Sequence, residues 1–261
     1  MRTTTGSTVT TAAPGTGTAA SAAPEAGGHR RRVSVFALVH GAWHGAWCWE
    51  RVAPELEAAG HAAVAPELPC EDPEAGLGDY AGVVREALDG AGEDVILVGH
   101  SLAGLVVPLV AAARPVRRLV LLAALLPEPG LSLADQLRAD TSILLASPGR
   151  SPDADQRSRW SDEAAATAAL YGEADPAVAH AAFARLRRQA AAPQVEPSPL
   201  DAWPDVPAEY VVCTRDRMVS PAYGARAAAQ RAMPVRELAS DHSPMLSHPR
   251  ELAALLLNGD R

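Results

Sequence analysis

The stretch 94–104, D-V-I-L-V-G-H-S-L-A-G, restricts this chain more than any other. Residues 95–98 are a short apolar run, β-branched at Val95, Ile96 and Val98. Such a run reads as a strand buried on both faces. Gly99 ends it, Ser101 follows, and 102–113 reads as a helix. A serine on a strand-to-helix turn among glycines is a nucleophile elbow. The turn strains the serine backbone and needs small neighbours, because helix and strand cross closely there. The string runs Gly99-His100-Ser101-Leu102-Ala103, so Ala103 takes the last glycine position of G-x-S-x-G and Gly104 follows it. An ordinary strand, a tight turn and a buried serine would give a similar string, so the remaining chain must decide.

The chain around the elbow alternates strand and helix. Strands are expected at 33–39, 62–65, 95–98 and 118–122, with helices at 54–59, 79–88 and 102–113. Residues 66–78, rich in Pro, Glu and Asp, read as a surface loop. This alternation implies a parallel sheet with right-handed crossovers, whose reactive groups collect at the carboxyl ends of strands. Residues 127–207 interrupt the pattern with alanine, arginine and proline. Helices are expected there at 133–145, 162–171 and 176–189, followed by a proline-rich return at 193–207. An insertion of this size reads as a helical cap that excludes water and shapes a pocket. Trp160, Tyr171 and Phe183 are either its core or walls of that pocket. Regular structure resumes with strands at 209–213 and 235–238 and helices at 220–232 and 249–257. Ser220 and Pro221 suit the N-cap and first position of their helix.

The fold class is thus α/β, a mainly parallel sheet of about six strands flanked by helices. The core comprises 33–126 and 208–261, and the cap comprises 127–207. Residues 1–28 are almost entirely Thr, Ala, Gly, Ser and Pro, so 1–32 is expected to be a disordered tail without a secretory apolar segment. Arg30-Arg31-Arg32 precede an apolar run, but those residues are needed for the first strand, so an export signal is not inferred. No apolar stretch is long enough to suggest a transmembrane helix.

A serine needs a base within reach, and that base needs an acid to fix its tautomer. His242, after the sixth strand, is the base chosen among 8 histidines. His100 adjoins the serine, but its ring should point away on such a turn. His40 and His44 belong to the loop after the first strand, and His248 opens a helix. His29, His61 and His180 have no reason to converge. Asp216, after the fifth strand, is the acid chosen; Asp241 is too close to His242 in sequence and reads as a turn residue. Glu128, after the fourth strand, is the substitute. The loop His40-Gly41-Ala42-Trp43-His44-Gly45 has the small residues that let backbone amides approach an oxygen. The Ala42 and Leu102 amides are the candidates, with Gly41, Trp43 and His100 expected around the substrate.

From Phe36 onward the chain resembles the α/β-hydrolase superfamily. It most resembles the branch of plant methylesterases, hydroxynitrile lyases and bacterial pyrethroid-type esterases. The carrying segments are L-V-H-G-A-W-H-G-A-W-C-W at 38–49, V-G-H-S-L-A-G at 98–104, C-T-R-D at 213–216 and D-H-S-P-M-L at 241–246. The resemblance implies an α/β-hydrolase fold, a triad of Ser101, Asp216 and His242, and an oxyanion hole from Ala42 and Leu102. It implies no metal and no organic cofactor. The lyases of this branch usually carry threonine at the Gly41 position and lysine at the Ser243 position, so an esterase is favoured.

The expected function is a serine carboxylesterase acting on a small or medium, largely apolar ester. A lyase or cyclase on the same scaffold, or a slow-turnover small-molecule receptor, is the alternative. The net charge is −8 and all 23 basic residues are arginine, without clusters, which argues against nucleic acid or membrane as partner. Cys48, Cys70 and Cys213 form no C-x-x-C pair and read as free thiols of a reducing, cytoplasmic compartment. A homodimer stays open.

Overall fold

A computed structural model describes residues 33–146 and 157–260. The expected tail 1–32, His29 within it, and residues 147–156 of the expected cap lie outside the described residues. Among the described residues one sheet holds six strands: β1 (Val35–Val39), β2 (Ala62–Val64), β3 (Val95–His100), β4 (Arg118–Leu122), β5 (Ala208–Cys213) and β6 (Val235–Leu238). Their order is β2-β1-β3-β4-β5-β6, and every neighbouring pair is parallel. The expected parallel α/β sheet is therefore present.

This order has a functional consequence. β1 sends the chain outward to β2, whereas β3 sends it the other way to β4. The switch point lies between β1 and β3, where a crevice opens at the carboxyl ends of the strands. The loop at 40–45 and the Ser101 elbow are the two strand ends that meet there.

The central strands are buried on both faces, as their apolar runs require. Every residue of β3 and β4 is buried. Helices α1 (Ala53–Ala58), α2 (Leu77–Ala87) and α3 (Val107–Ala113) follow the first three strands. The expected continuous helix from Leu102 is split: Ser101–Leu105 is a 3-10 turn, and the α-helix starts at Val107. Pro108 in its first turn has no N–H to continue an α-helical ladder back to Gly104.

Between β4 and β5 lie α4 (Leu133–Ala139), α5 (Glu163–Leu170), α6 (Pro176–Ala184) and the short α7 (Ala192–Val195). Local signals set the starts. Ser132 accepts from the Asp135 amide at 3.0 Å, and the Ser132 amide donates to Asp135 Oδ2 at 3.2 Å. Asp162 and Asp175 cap α5 and α6 through the Ala165 and Ala177 amides. Such caps stabilise a helix by about 0.5–2 kcal/mol. The ends are tertiary. The helix expected to reach 145 stops at Ala139, where Asp140 takes the Ser142 amide and hydroxyl. The chain then pairs instead with the segment after Asp216: Leu144 bridges Val219, and the Leu145 amide donates to the Met218 carbonyl at 3.0 Å. The helix expected to reach 189 stops at Ala184, and Gln189 bridges Ser158.

After β5, α8 (Pro221–Gln230) starts where expected, with Ser220 accepting from the Tyr223 amide at 3.3 Å. After β6 come α9 (Pro244–Ser247) and α10 (Pro249–Leu257). Neither α7 nor α9 was expected; both are single turns with a proline in the first or second position. Among the described residues no helix is long and apolar enough to cross a membrane.

Candidate active site

Ser101 has φ 54°, in the left-handed region that serine adopts only under constraint. Close packing supplies the constraint. A Cβ at Gly99 would lie 2.7 Å from Val107 Cγ2, and one at Gly104 would lie 2.7 Å from Ala124 Cβ. The Leu125 amide donates to the Ser101 carbonyl at 3.0 Å. Positions 99 and 104 are thus the ones that exclude a side chain, and Ala103 tolerates its methyl while buried. This accounts for the departure from G-x-S-x-G.

His242 and Asp216 meet as expected. His242 Nδ1 donates to Asp216 Oδ2 at 2.7 Å, and both side chains are 2% exposed. Asp216 Oδ1 accepts from the Met218 and Val219 amides at 2.7 and 2.9 Å, which fixes the plane of the carboxylate. The substitute acid Glu128 and the neighbouring Asp241 are engaged elsewhere. Glu128 pairs with Arg231 at 2.5 Å. Asp241 accepts from the Glu173 amide, the Ser243 amide and the Ser247 hydroxyl. Burial pushes the Asp241 carboxyl above the usual range. Among the described residues the Ser101 hydroxyl makes no hydrogen bond; serine–imidazole bonds in unliganded sites often tighten only around a substrate.

His100 corrects one expectation. Its ring does point away from the substrate side, but it is fully buried and does not line the cavity. Nε2 donates to the His242 carbonyl at 2.8 Å, and the two rings lie 4.7 Å apart. Burial holds its pKa well below the ordinary value. His100 therefore braces the main chain of the candidate base from outside the cavity lining.

The loop after β1 is held from behind by two histidines. The Leu68 amide donates to His40 Nε2 at 3.0 Å, so the proton sits on Nδ1, which donates to the Gly41 carbonyl at 2.9 Å. In a trans peptide the N–H lies opposite the C=O. Turning the Gly41 carbonyl to His40 therefore turns the Ala42 N–H away from it, on the residue that lines the cavity. His44 Nδ1 likewise donates to the Ala42 carbonyl at 2.9 Å. Burial lowers His40 to about 3 and His44 to about 4, so both stay neutral near pH 7. Gly41 leaves no room for a side chain: a Cβ there would lie 2.8 Å from Ser101 Cβ. Trp43 holds φ 63°, donates from Nε1 to Ser158 Oγ at 3.1 Å, and accepts at its carbonyl from the Arg187 amide at 2.7 Å.

Ser101, Ala42, Trp43 and Leu102 face a narrow, nearly closed cavity with a free volume of about 20 Å³. Its walls are Leu125, Leu133, Leu137, Leu144, Met218 and Val219, with Gln194 as the one polar side chain besides Ser101. Trp160, Tyr171 and Phe183 do not line it. Trp160 packs edge-on against Trp43, and Tyr171 hydrogen-bonds His44. Gln194 sits on the unexpected helix α7, inside a proline-rich string that carries no motif; only tertiary contact reveals it.

Among the described residues no three His, Cys, Asp or Glu side chains form a metal-binding group. The three cysteines are free and buried, and burial raises each thiol pKa, Cys70 to about 12. They are packing residues.

Comparison with known proteins agrees with this geometry. The model of the alpha/beta hydrolase family matches residues 36–255. Methylesterase 7 of Arabidopsis thaliana is 31% identical over 271 residues, covering 85% of this chain and 94% of the relative. The pyrethroid hydrolase of Sphingobium faniae JZ-2 is similar in structure with a TM-score of 0.69 at 23% identity, covering 87% of this chain and 97% of its own. Polyneuridine aldehyde esterase gives a TM-score of 0.74 at 21% identity, over 88% of this chain and 100% of its own. At these identities the two solved structures speak for the fold alone. The sheet order, the elbow and the family match lead to one conclusion: the chain belongs to the alpha/beta hydrolase family.

Proposed function

We propose that the protein is a serine carboxylesterase acting on a small or medium, uncharged, largely apolar ester. The observation that carries this reading is an elbow serine at φ 54° together with a buried His242–Asp216 pair 2.7 Å apart, with the His242 ring 4.7 Å from that of His100, the residue before the serine. Ser101 attacks the ester carbonyl as His242 takes its proton, and Asp216 steadies the imidazolium. The Ala42 and Leu102 amides hold the oxyanion, which in a site of this kind supplies about 3–4 kcal/mol per donor. His242 then returns the proton to the leaving alcohol and activates the water that frees the acid.

The cavity supports the substrate class. Its lining is apolar and uncharged, and the segment 127–207 acts as a cap that supplies Leu133, Leu137, Leu144 and Gln194 to it. Relatives named methylesterase and pyrethroid hydrolase are compatible with this class. Two features weigh against a lyase. No side chain fits at position 41, and position 243 holds a fully buried serine where the lyases place a cation. With three free buried cysteines, we assign the enzyme to a reducing, cytoplasmic compartment.

The test is fluorophosphonate labelling of the wild type and Ser101→Ala, followed by a panel of aryl and methyl esters. Stoichiometric labelling lost in Ser101→Ala, with ester cleavage lost in parallel, is the expected result. A folded wild type that neither labels nor cleaves any ester overturns the assignment.

A further inference from the structure

We propose that Tyr171 is a positioning residue for the oxyanion hole, acting through His44. The proposal rests on the esterase reading above. It assigns to the segment between β4 and β5 a part in setting the transition-state geometry, beyond covering the pocket.

The chain of contacts is short. The Tyr171 hydroxyl lies 2.9 Å from His44 Nε2, and His44 Nδ1 lies 2.9 Å from the Ala42 carbonyl. A carbonyl oxygen can only accept, so the His44 proton must sit on Nδ1. Nε2 then holds a lone pair, and Tyr171 must be the donor. The opposite tautomer would set a lone pair against the carbonyl. Tyr171 thus fixes the imidazole at its outer end while the inner end holds the peptide after Ala42. The peptide before Ala42 is held by His40. Ala42 is clamped on both sides, and only the second clamp depends on a residue of the inserted segment.

Two further observations favour positioning over simple packing. Tyr171 is 1% exposed and does not line the cavity, so it has no substrate contact to lose. The turn that carries it reaches both halves of the site. Two residues on, the Glu173 amide donates to Asp241 Oδ2 at 2.9 Å, beside His242. One turn at the end of α5 therefore holds the loop of the oxyanion donor and the loop of the base. Burial also raises the Tyr171 pKa, so the hydroxyl keeps its proton across the working range.

The experiment compares wild type, Tyr171→Phe, His44→Asn and the double variant, with a nitrophenyl ester and a trifluoromethyl ketone inhibitor. Imidazole ¹⁵N NMR is recorded on the free proteins. We expect the Nδ1–H tautomer for His44 in the wild type. In Tyr171→Phe, kcat falls tenfold or more, KM stays within twofold, and the ketone inhibition constant rises by the same factor as kcat falls. The His44 N–H exchanges with water at least tenfold faster. Asparagine at 44 can donate to the Ala42 carbonyl without an outer partner, so Tyr171→Phe should add less than twofold in that background. Three results overturn the proposal: an Nε2–H tautomer in the wild type, an unchanged kcat in Tyr171→Phe, or an equal loss in both backgrounds. An unlabelled Ser101 removes the esterase reading and the oxyanion role together, whereas an unchanged kcat with a labelled Ser101 removes only the role of Tyr171.

Discussion

His100 Nε2 donates to the carbonyl oxygen of His242 at 2.8 Å, and the two imidazole rings lie 4.7 Å apart. The residue before the candidate nucleophile therefore holds the main chain of the candidate base. In His100→Leu that buried carbonyl loses its donor, which costs about 1–3 kcal/mol of stability. The base also loses its fixed position, and small misplacements of catalytic groups are expensive. We expect a lower urea midpoint and a kcat at least tenfold down. Wild-type kcat in His100→Leu would show that other contacts hold His242.

Asp216 gives a cleaner test of chemistry because its removal need not disturb the fold. Asp216→Asn retains one acceptor oxygen for the Met218 and Val219 amides. Its amide nitrogen then faces His242 Nδ1 and favours the wrong tautomer. A fall of about 10³–10⁴ in kcat is expected, with little change in thermal midpoint. Glu128→Gln should leave activity within twofold, since that carboxylate is paired with Arg231. A reversed ranking in ester assays would move the acid to Glu128.

Gly41 is required by space. A methyl at this position would press on Ser101 Cβ at 2.8 Å and on the His100 carbonyl at 3.1 Å. Overpacking of this kind costs about 1–3 kcal/mol. Gly41→Ala should lower the thermal midpoint and abolish most esterase activity, because the displaced atoms are those of the candidate nucleophile. Calorimetry together with labelling of Ser101 checks both halves of the expectation.

The buried histidines make stability depend on pH. His40 and His44 have pKa values of about 3 and about 4 in the folded protein, and burial also depresses His100. Unfolded histidine titrates near 6.5. Between that value and the folded ones, the unfolded chain binds protons that the native state does not, so stability rises with pH. Falling pH should therefore destabilise the protein from about 6.5 downward, by up to about 1.4 kcal/mol per unit for each such group. Asp241, whose pKa is raised by burial, opposes this trend above its unfolded pKa, at the acid end of the range. Urea midpoints from pH 7 to 4.5 should fall steadily, and His44→Asn should flatten the slope. A flat wild-type profile would contradict this account.

Legibility in the sequence follows the range of each interaction. The strands were readable because burial on both faces demands uninterrupted apolar runs such as 95–98. The helix starts at Leu133, Glu163, Pro176 and Pro221 were readable to within one residue because each cap acts within three residues. Helix ends at Ala139 and Ala184 were not, since pairing with distant segments decides them. The histidines of the loop after β1 were visible in the sequence, but their carbonyl clamps were not. The placement of the His100 ring was hidden for the same reason: its partner lies 142 residues away.

The sequence by itself determined the parallel α/β sheet and the order of Ser101, Asp216 and His242 along it. Alternating apolar runs and short-range turn chemistry suffice for that. Tertiary structure alone decided what surrounds those groups. It turned Gln194 into the cavity, set Tyr171 on His44 across 127 residues, and left no room for a side chain at Gly41. These depend on the packing of one segment against another, and packing geometry has no local signature in the residues that make it.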